Sequence, residues 1–156
     1  MATGDTLHVE VVTADRELYN GEANIVDVPG ADGQLGILPH HAALLALLKP
    51  GPLVIKLNGA EEAIFVSGGF LEVSNNSVTV LADTAERAED INEARAEAAR
   101  RRAQERLADV RSNTERAQLQ AALERAVNRI RVAEMVRESG GRTRVKMPRS
   151  EDYTNN

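Results

Sequence analysis

Arginine supplies most of the chemistry available to this chain. Twelve arginines lie between residues 85 and 138, among eleven acidic residues and no lysine. Guanidinium is planar, permanently charged and matched in shape to phosphate and carboxylate. On a 3.6-residue period Ile91, Arg95 and Arg102 share one face of a first helix. Arg125 and Arg129 are i,i+4 neighbours on a second. Guanidinium groups from two such helices could converge on phosphates, or could pair with surface glutamates. Arg100-Arg101-Arg102 is a basic run, but interleaved glutamates leave the segment near neutral and the whole chain carries −5. No nucleic-acid partner is expected from that balance.

The remaining candidates are weaker. Gly30-x-x-Gly33-x-x-Gly36 has the look of a phosphate loop. Such a loop opens a helix, with a lysine if it is a Walker motif, whereas Pro39, His40 and His41 follow here. A turn with tight backbone positions is the better reading. Neighbouring His40 and His41 would point to opposite faces of a strand, and no third ligand stands at fixed spacing, so no metal site is expected. His8 reads as an ordinary exposed strand residue. The chain has no cysteine, hence no thiolate chemistry and no disulfide framework. A hydrolase needs a convergent nucleophile or a carboxylate pair, and neither is visible, so no catalytic residue is assigned.

Residues 1–86 must position whatever the arginines do, and they read as strands. Leu7, Val9 and Val11 alternate with His8 and Glu10. Asn20-Gly21 is a turn signal before Ile25–Val28, Pro29 to Gly33 reads as a longer turn, and Lys49-Pro50-Gly51-Pro52 as another. Asn58-Gly59 and Asn75-Asn76 each sit between short apolar runs, the pattern of a tight hairpin. Strands this short, with turns this frequent, predict an antiparallel β-sandwich or flattened barrel.

Residues 87–139 read as an antiparallel two-helix hairpin. No proline or glycine occurs from Asp90 to Glu138. Asp90 with Glu93 fits a cap and its acidic third residue, and Ser112 with Glu115 repeats the pattern. Ala96, Ala99, Ala103, Leu107 and Val110 form one apolar stripe. Leu119, Leu123, Ala126, Ile130 and Ala133 form the second. An alanine seam buries little area at roughly 25 cal/mol per Å², so the hairpin is held weakly and is a candidate moving part. Ser139-Gly140-Gly141 is a helix stop, and residues 140–156 have no periodicity and are expected to be disordered.

Charge divides the chain at the same place. Residues 1–84 carry eleven acidic and three basic side chains, a net −8, against +1 for 85–138 and +2 for 139–156. Two surfaces so different imply two different partners. The N-terminus is acidic where a signal peptide would be basic, and the longest apolar run, Ala42 to Leu48, falls far short of the ~20 residues a membrane helix needs. The expectation is a soluble chain that meets a membrane only through a partner.

Three segments carry a family resemblance. Gly30-Ala31-Asp32-Gly33-Gln34-Leu35-Gly36-Ile37-Leu38-Pro39-His40-His41-Ala42, and Phe65 to Val73 followed by Val78 to Asp83, resemble the N-terminal domain of the epsilon subunit of F-type ATP synthases. Arg125 to Glu134 resembles the second C-terminal helix of that family. The match runs in order from about residue 7 to 138. It implies a non-catalytic rotor part of the central stalk, whose sandwich docks on the gamma subunit and on the polar loops of the membrane c-ring. Gln34 and His41 stand at matched c-ring contact positions, Gln34 where many relatives carry an acidic residue. The paired helices are expected to lie beside the sandwich or to extend along gamma. At roughly 20 and 25 residues they would span about 30 and 37 Å. Extended, they would oppose ATP hydrolysis by engaging acidic segments of the alpha/beta catalytic hexamer, with Arg116, Arg125 and Arg131 as the contacts. No cofactor is required. Some bacterial relatives bind regulatory ATP, with Mg, on the folded hairpin through Ile/Leu-Asp-x-x-Arg-Ala, read here as Ile91-Asn92-Glu93-Ala94-Arg95-Ala96. Glu86, Arg102, Arg125 and Arg129 match further positions of that site, and Asn92 departs from it. The resemblance implies a peripheral place at the cytoplasmic face of a bacterial plasma membrane, or at the stromal face of a thylakoid. A free-standing adaptor domain would show the same fold, and only its partners would separate the two.

Overall fold

A computed structural model describes residues 4–138. Ten strands precede two helices: β1 (Leu7–Val12), β2 (Glu17–Ala23), β3 (Ile25–Gly30), β4 (Gly33–Ile37), β5 (Leu44–Leu48), β6 (Gly51–Leu57), β7 (Ala60–Val66), β8 (Gly69–Ser74), β9 (Ser77–Ala82), β10 (Ala85–Arg87), α1 (Glu93–Asp109) and α2 (Asn113–Glu138). The sheet order is β10-β7-β6-β3-β5-β8-β9-β1-β2, with β4 paired to β3. Every pairing is antiparallel except β1 with β9, where His8 to Val12 run alongside Ser77 to Leu81. The sheet curls until β2 and β10 face each other. Arginine side chains bridge that gap: Arg87 Nη2 donates to the Leu18 carbonyl at 2.6 Å and Arg16 Nη2 to the Ala85 carbonyl at 3.3 Å.

The core is built from the alternation the sequence displays. Leu7, Val9 and Val11 point inward, as do Leu71 and Val73 on β8 and Val78 and Val80 on β9. Asn58-Gly59 and Asn75-Asn76 turn with positive φ at each residue, as tight hairpins require. Gly69 sits at φ 129°, and a Cβ there would lie 2.1 Å from the Leu81 carbonyl oxygen. Only glycine allows β8 and β9 to approach so closely at that point.

Several turn expectations need correction. Asn20-Gly21 is not a turn but lies inside β2, opposite Glu10 and Val9. The reversal occurs earlier, where Thr13 N–H donates to the Arg16 carbonyl and the Thr13 hydroxyl accepts from Asp15 and Arg16 N–H groups. Gly21 lies beside the ring of Tyr19, whose nearest atoms would stand 3.4 to 3.5 Å from a Cβ at Gly21, an ordinary contact distance. The segment Pro29 to Gly33 is mostly strand, and only Ala31 and Asp32 turn. Gly33 to Gly36, read as a turn, forms most of β4, and Gly51-Pro52 opens β6.

The helical hairpin forms with one shift. Helix α1 starts at Glu93, with Asn92 and not Asp90 as its cap: Asn92 Oδ1 accepts the Arg95 N–H at 2.9 Å. Ile91 cannot join the helix because it is extended and buried against the sandwich, while Ala88–Asp90 form a single 3-10 turn. Ser112 caps α2 through the Glu115 N–H. The Glu115 carboxylate crosses to Arg106 of α1, so the capping box is not reciprocal. Ala96, Ala103, Leu119, Ala126 and Ala133 are buried as the two stripes predict. The helix stop at Ser139-Gly140-Gly141 and the tail 140–156 lie outside the described residues.

Tyr19 offers a test of this packing. Its hydroxyl is buried and donates to the Glu22 carbonyl at 2.7 Å. Burial, reinforced by the nearby negative charges of Glu62 and Glu22, pushes its pKa up to about 12. The unfolded chain releases this proton near pH 10 while the fold retains it, so stability is lost as pH rises from about 10 to about 12. Tyr19→Phe is expected to cost about 1 kcal/mol at pH 7, from the lost hydrogen bond, and to flatten that alkaline decline. Urea midpoints at pH 7, 9 and 11 check it, and parallel declines in both proteins would refute it.

Candidate functional site

The outer faces of the sandwich are treated differently. Strand β7 is buried on both sides near its end: Ile64 and Val66 face the core, while Ala63 and Phe65 face α2. Ala63 and Phe65 form a second apolar cluster with Ala88, Ile91, Val132 and Ala133, edged by Val136. Helix α2 is thus seated on the sandwich. Val132 is fully buried yet stands outside the expected stripe, because it serves the sandwich and not α1. Arg129 closes the cluster from above. Its guanidinium carbon lies 4.7 Å from the centroid of the Phe65 ring, within cation–π range. Its Nε donates to Glu86 Oε2 at 2.5 Å.

Beside this contact a cleft of about 420 Å³ opens between β10, the start of α1 and one side of α2. Sites for small ligands usually run from ~300 to ~1,000 Å³. Its charged wall comprises Glu86, Asp90, Arg95, Arg102 and Arg129, with Asn92, Ala96 and Ala99 between them. Five of the seven residues expected around a nucleotide are therefore brought together: Glu86, Asn92, Arg95, Arg102 and Arg129. Ile91 is not among them. It precedes the helix instead of sharing a face with Arg95, and its side chain is spent in the cluster with Phe65. Arg125, one turn before Arg129, is not part of the wall either. Among the described residues, no hydrogen bond or ion pair engages the guanidinium groups of Arg95 and Arg102, whereas Arg129 is occupied by Glu86. Asn92 uses its side-chain oxygen to cap α1, so its amide nitrogen, a donor, is the group left for any ligand.

The other expected sites lie elsewhere. Gln34 is exposed at the start of β4, paired with Pro29, while His41 follows the far end of that strand, with Nδ1 2.7 Å from the Ala42 carbonyl. The two are not adjacent. Gln34 shares a smaller cleft of about 180 Å³ with Lys49, Asn128 and Arg131, across the boundary between sandwich and α2. Arg116 is tied to the hairpin bend, where Nη2 donates to the Val110 carbonyl at 3.2 Å. Among the described residues, no group of three or more His, Cys, Asp or Glu is placed to hold a metal ion. No helix among them is long and apolar enough to cross a membrane.

One surface was missed in the sequence. Leu47 pairs with Phe70, Phe70 with Leu81, and Leu81 with Val12. These residues form a row across β5, β8, β9 and β1 on the side away from the core. Leu47, Phe70 and Leu81 are each more than half exposed, and Leu45, two residues from Leu47 on the same face, is 73% exposed. The signal was available: Phe70 and Leu81 are apolar where the alternation of β8 and β9 calls for a polar residue, and β5 is apolar throughout.

Comparison with known proteins agrees with this architecture. Residues 6–88 match the ATP synthase delta/epsilon chain beta-sandwich domain, and residues 89–134 match the long alpha-helix domain of the same chain. The ATP synthase epsilon chain of Nitratidesulfovibrio vulgaris (strain DP4) is 48% identical over 127 residues, covering 81% of this chain and 95% of its own. That of Thioalkalivibrio sulfidiphilus is 46% identical over 134 residues, covering 85% and 95%. A chain in the Euglena gracilis mitochondrial ATP synthase superposes with a TM-score of 0.72 at 20% identity, over 82% of this chain and 81% of its own. One from the central stalk and c-ring of the Tetrahymena thermophila mitochondrial enzyme gives 0.57 at 13%, over 85% and 99%. With both of its structural parts matched in order and close to half of the aligned residues identical to those of bacterial relatives over nearly their full length, the chain belongs to the ATP synthase epsilon chain family, a non-catalytic subunit of that complex.

Proposed function

We propose that this chain is a rotor part of the central stalk, which helps pass rotation between proton flow through the membrane ring and the catalytic hexamer, and restrains ATP hydrolysis through its helices. The observation that carries the assembly role is the exposed row of Val12, Leu81, Phe70 and Leu47. Contiguous apolar surface of this kind marks a protein interface, and gamma is its proposed partner. The sandwich, residues 1–86, is the assembly module, with Gln34 and His41 directed to the c-ring loops. Residues 87–139 are the regulatory module. The complex, and this chain with it, sits peripherally at the cytoplasmic face of the bacterial plasma membrane; the bacterial origin of the relatives favours this over a thylakoid.

The row makes the assembly role testable. Phe70→Asp and Leu81→Asp each place a charge in its middle, where a buried anchor would be needed. Each is expected to weaken binding to gamma by at least ~100-fold, about 2.7 kcal/mol. Urea stability of the isolated chain should stay within ~0.5 kcal/mol, since both side chains are already exposed. Gamma affinity measured by interferometry and unchanged in both variants would remove the row from the interface.

Regulation rests on the arginines. In an extended hairpin Arg116, Arg125 and Arg131 would meet acidic segments of the hexamer. Replacing all three by glutamine is expected to raise ATPase activity of the soluble catalytic complex and to reduce the salt sensitivity of inhibition, because exposed pairs are screened. Unchanged activity at matched assembly would contradict this role.

A second reading is favoured by the cleft at α1. Two guanidinium groups without an anionic partner among the described residues, beside the start of a helix, suit the phosphates of ATP held with Mg. Saturable heat is expected when MgATP is titrated into the isolated chain. Asn92→Asp restores a carboxylate while keeping the cap. Its second oxygen accepts where the amide nitrogen donates, and against a ribose hydroxyl or the base it is expected to tighten binding about ten-fold, the lower end of what a charge-assisted hydrogen bond contributes. No heat from either protein up to millimolar MgATP would refute the site, and tighter binding by the wild type would reverse the role given to residue 92.

A further inference from the structure

We infer that Glu86 acts as an internal substitute for a ligand anion: its carboxylate on Arg129 holds the hairpin against the sandwich with no nucleotide bound, and competes with nucleotide for that guanidinium. The competition rests on the nucleotide reading above, whereas the latch does not.

The apolar contact between hairpin and sandwich is small. On the helix side it consists of Val132 and Ala133, edged by Val136. Arg129 adds two interactions from a single side chain. It covers the face of Phe65 on β7, and its pair with Glu86 ties α2 to β10. Phe65 is fully buried. Removing Arg129 from above it would therefore expose aromatic surface as well as break an ion pair. Both members of the pair are about two-thirds buried, with side-chain exposures of 30% and 32%, so solvent screens the pair only in part. The ion pairs between the two helices, Arg137 with Glu93 and Arg106 with Glu115, are exposed and join α2 only to α1. They cannot hold the hairpin down.

Glu86 itself is held firmly. It lies on β10 opposite Phe65 of β7, and the next residue, Arg87, donates to the Leu18 carbonyl across the closed sheet. Its carboxylate is thus presented from a fixed strand. Arg129 borders the cleft with Arg95 and Arg102. A phosphate entering there meets two guanidinium groups without a partner and a third already neutralised. For Arg129 to serve the ligand, the Glu86 pair must loosen. The docked hairpin then needs no nucleotide to form, and nucleotide gains less than three free arginines would give.

The chain contains no cysteine, so a single introduced thiol reports the latch. Ala133→Cys places one in the contact between α2 and the sandwich, where Ala133 is buried. Its labelling rate follows the undocked population even when that population is small. Ala23→Cys, inside the sandwich core, reports global unfolding. In the full-length chain without nucleotide, Glu86→Gln is expected to speed labelling at residue 133 about ten-fold and to leave residue 23 unchanged. The exchange Glu86→Arg with Arg129→Glu should slow labelling again only in part, because the pair re-forms while the guanidinium cover over Phe65 is lost. Equal rates at residue 133 with and without Glu86→Gln would overturn the latch, as would acceleration at both cysteines together. Calorimetry with MgATP separates the second claim: Glu86→Gln is expected to bind several-fold tighter, and equal or weaker binding would overturn the competition. No heat from any variant would refute the nucleotide site, and the labelling rates would still decide the latch.

Discussion

Phe65 is the residue around which the two halves of the molecule are arranged. A strand at the surface of a sandwich should bury one face, but β7 buries both at its end. Its outward ring must be covered by something, and α2 covers it with two small side chains and one arginine. That choice sets the rest. A leucine-rich cover would fix the hairpin permanently. A cover made of valine, alanine and a guanidinium excludes water from the ring and can still be withdrawn, because guanidinium is itself content in water. Seam and seat are built alike, since α1 meets α2 through alanines.

The two outer faces of the sandwich then make a contrast. The face of β6 and β7 is apolar and covered by the chain itself. The face of β5, β8 and β9 is apolar and uncovered among the described residues. A single small domain thus presents two surfaces that cannot stay in water at no cost. One is covered by α2, and the other lies open. The contrast parallels the charge break near residue 84: the open face belongs to the acidic half, and the covering helix to the near-neutral, arginine-rich half.

Much of this was legible in the residues. Alternation located β1, and the short apolar runs flanking Asn58-Gly59 and Asn75-Asn76 located β6 to β9; both turns fell where expected, because asparagine and glycine accept positive φ at little cost. Asn20-Gly21 failed as a turn because the chain has already reversed at Thr13 to Arg16, which leaves the dipeptide inside β2 opposite Glu10 and Val9. Strands β4 and β5 were overlooked for opposite causes: β4 is rich in glycine, and β5 is a run of leucines without alternation. Within the cleft, the arginines were found by spacing and resemblance, yet Ile91 was misplaced. A residue just ahead of a cap belongs to whatever the incoming chain packs on, not to the face of the helix that follows. The pairing of Arg129 with Glu86 joins positions 43 apart in sequence, and only the docking of α2 on β7 brings them together.

The parallel pairing of β1 with β9 has a consequence for how the chain is made. His8 lies beside Ser77 and Val12 beside Leu81, so the first strand cannot find its neighbour until the ninth has left the ribosome. Contacts so distant in sequence form slowly and late. During synthesis β5 and β8, with their outward leucines and phenylalanine, emerge before the sheet can curl shut, and Phe65 emerges before α2 exists to cover it. The apolar surfaces are therefore present before the contacts that close the sheet and cover Phe65. Surface exposed at that stage favours aggregation until β1 joins β9 and α2 covers the ring.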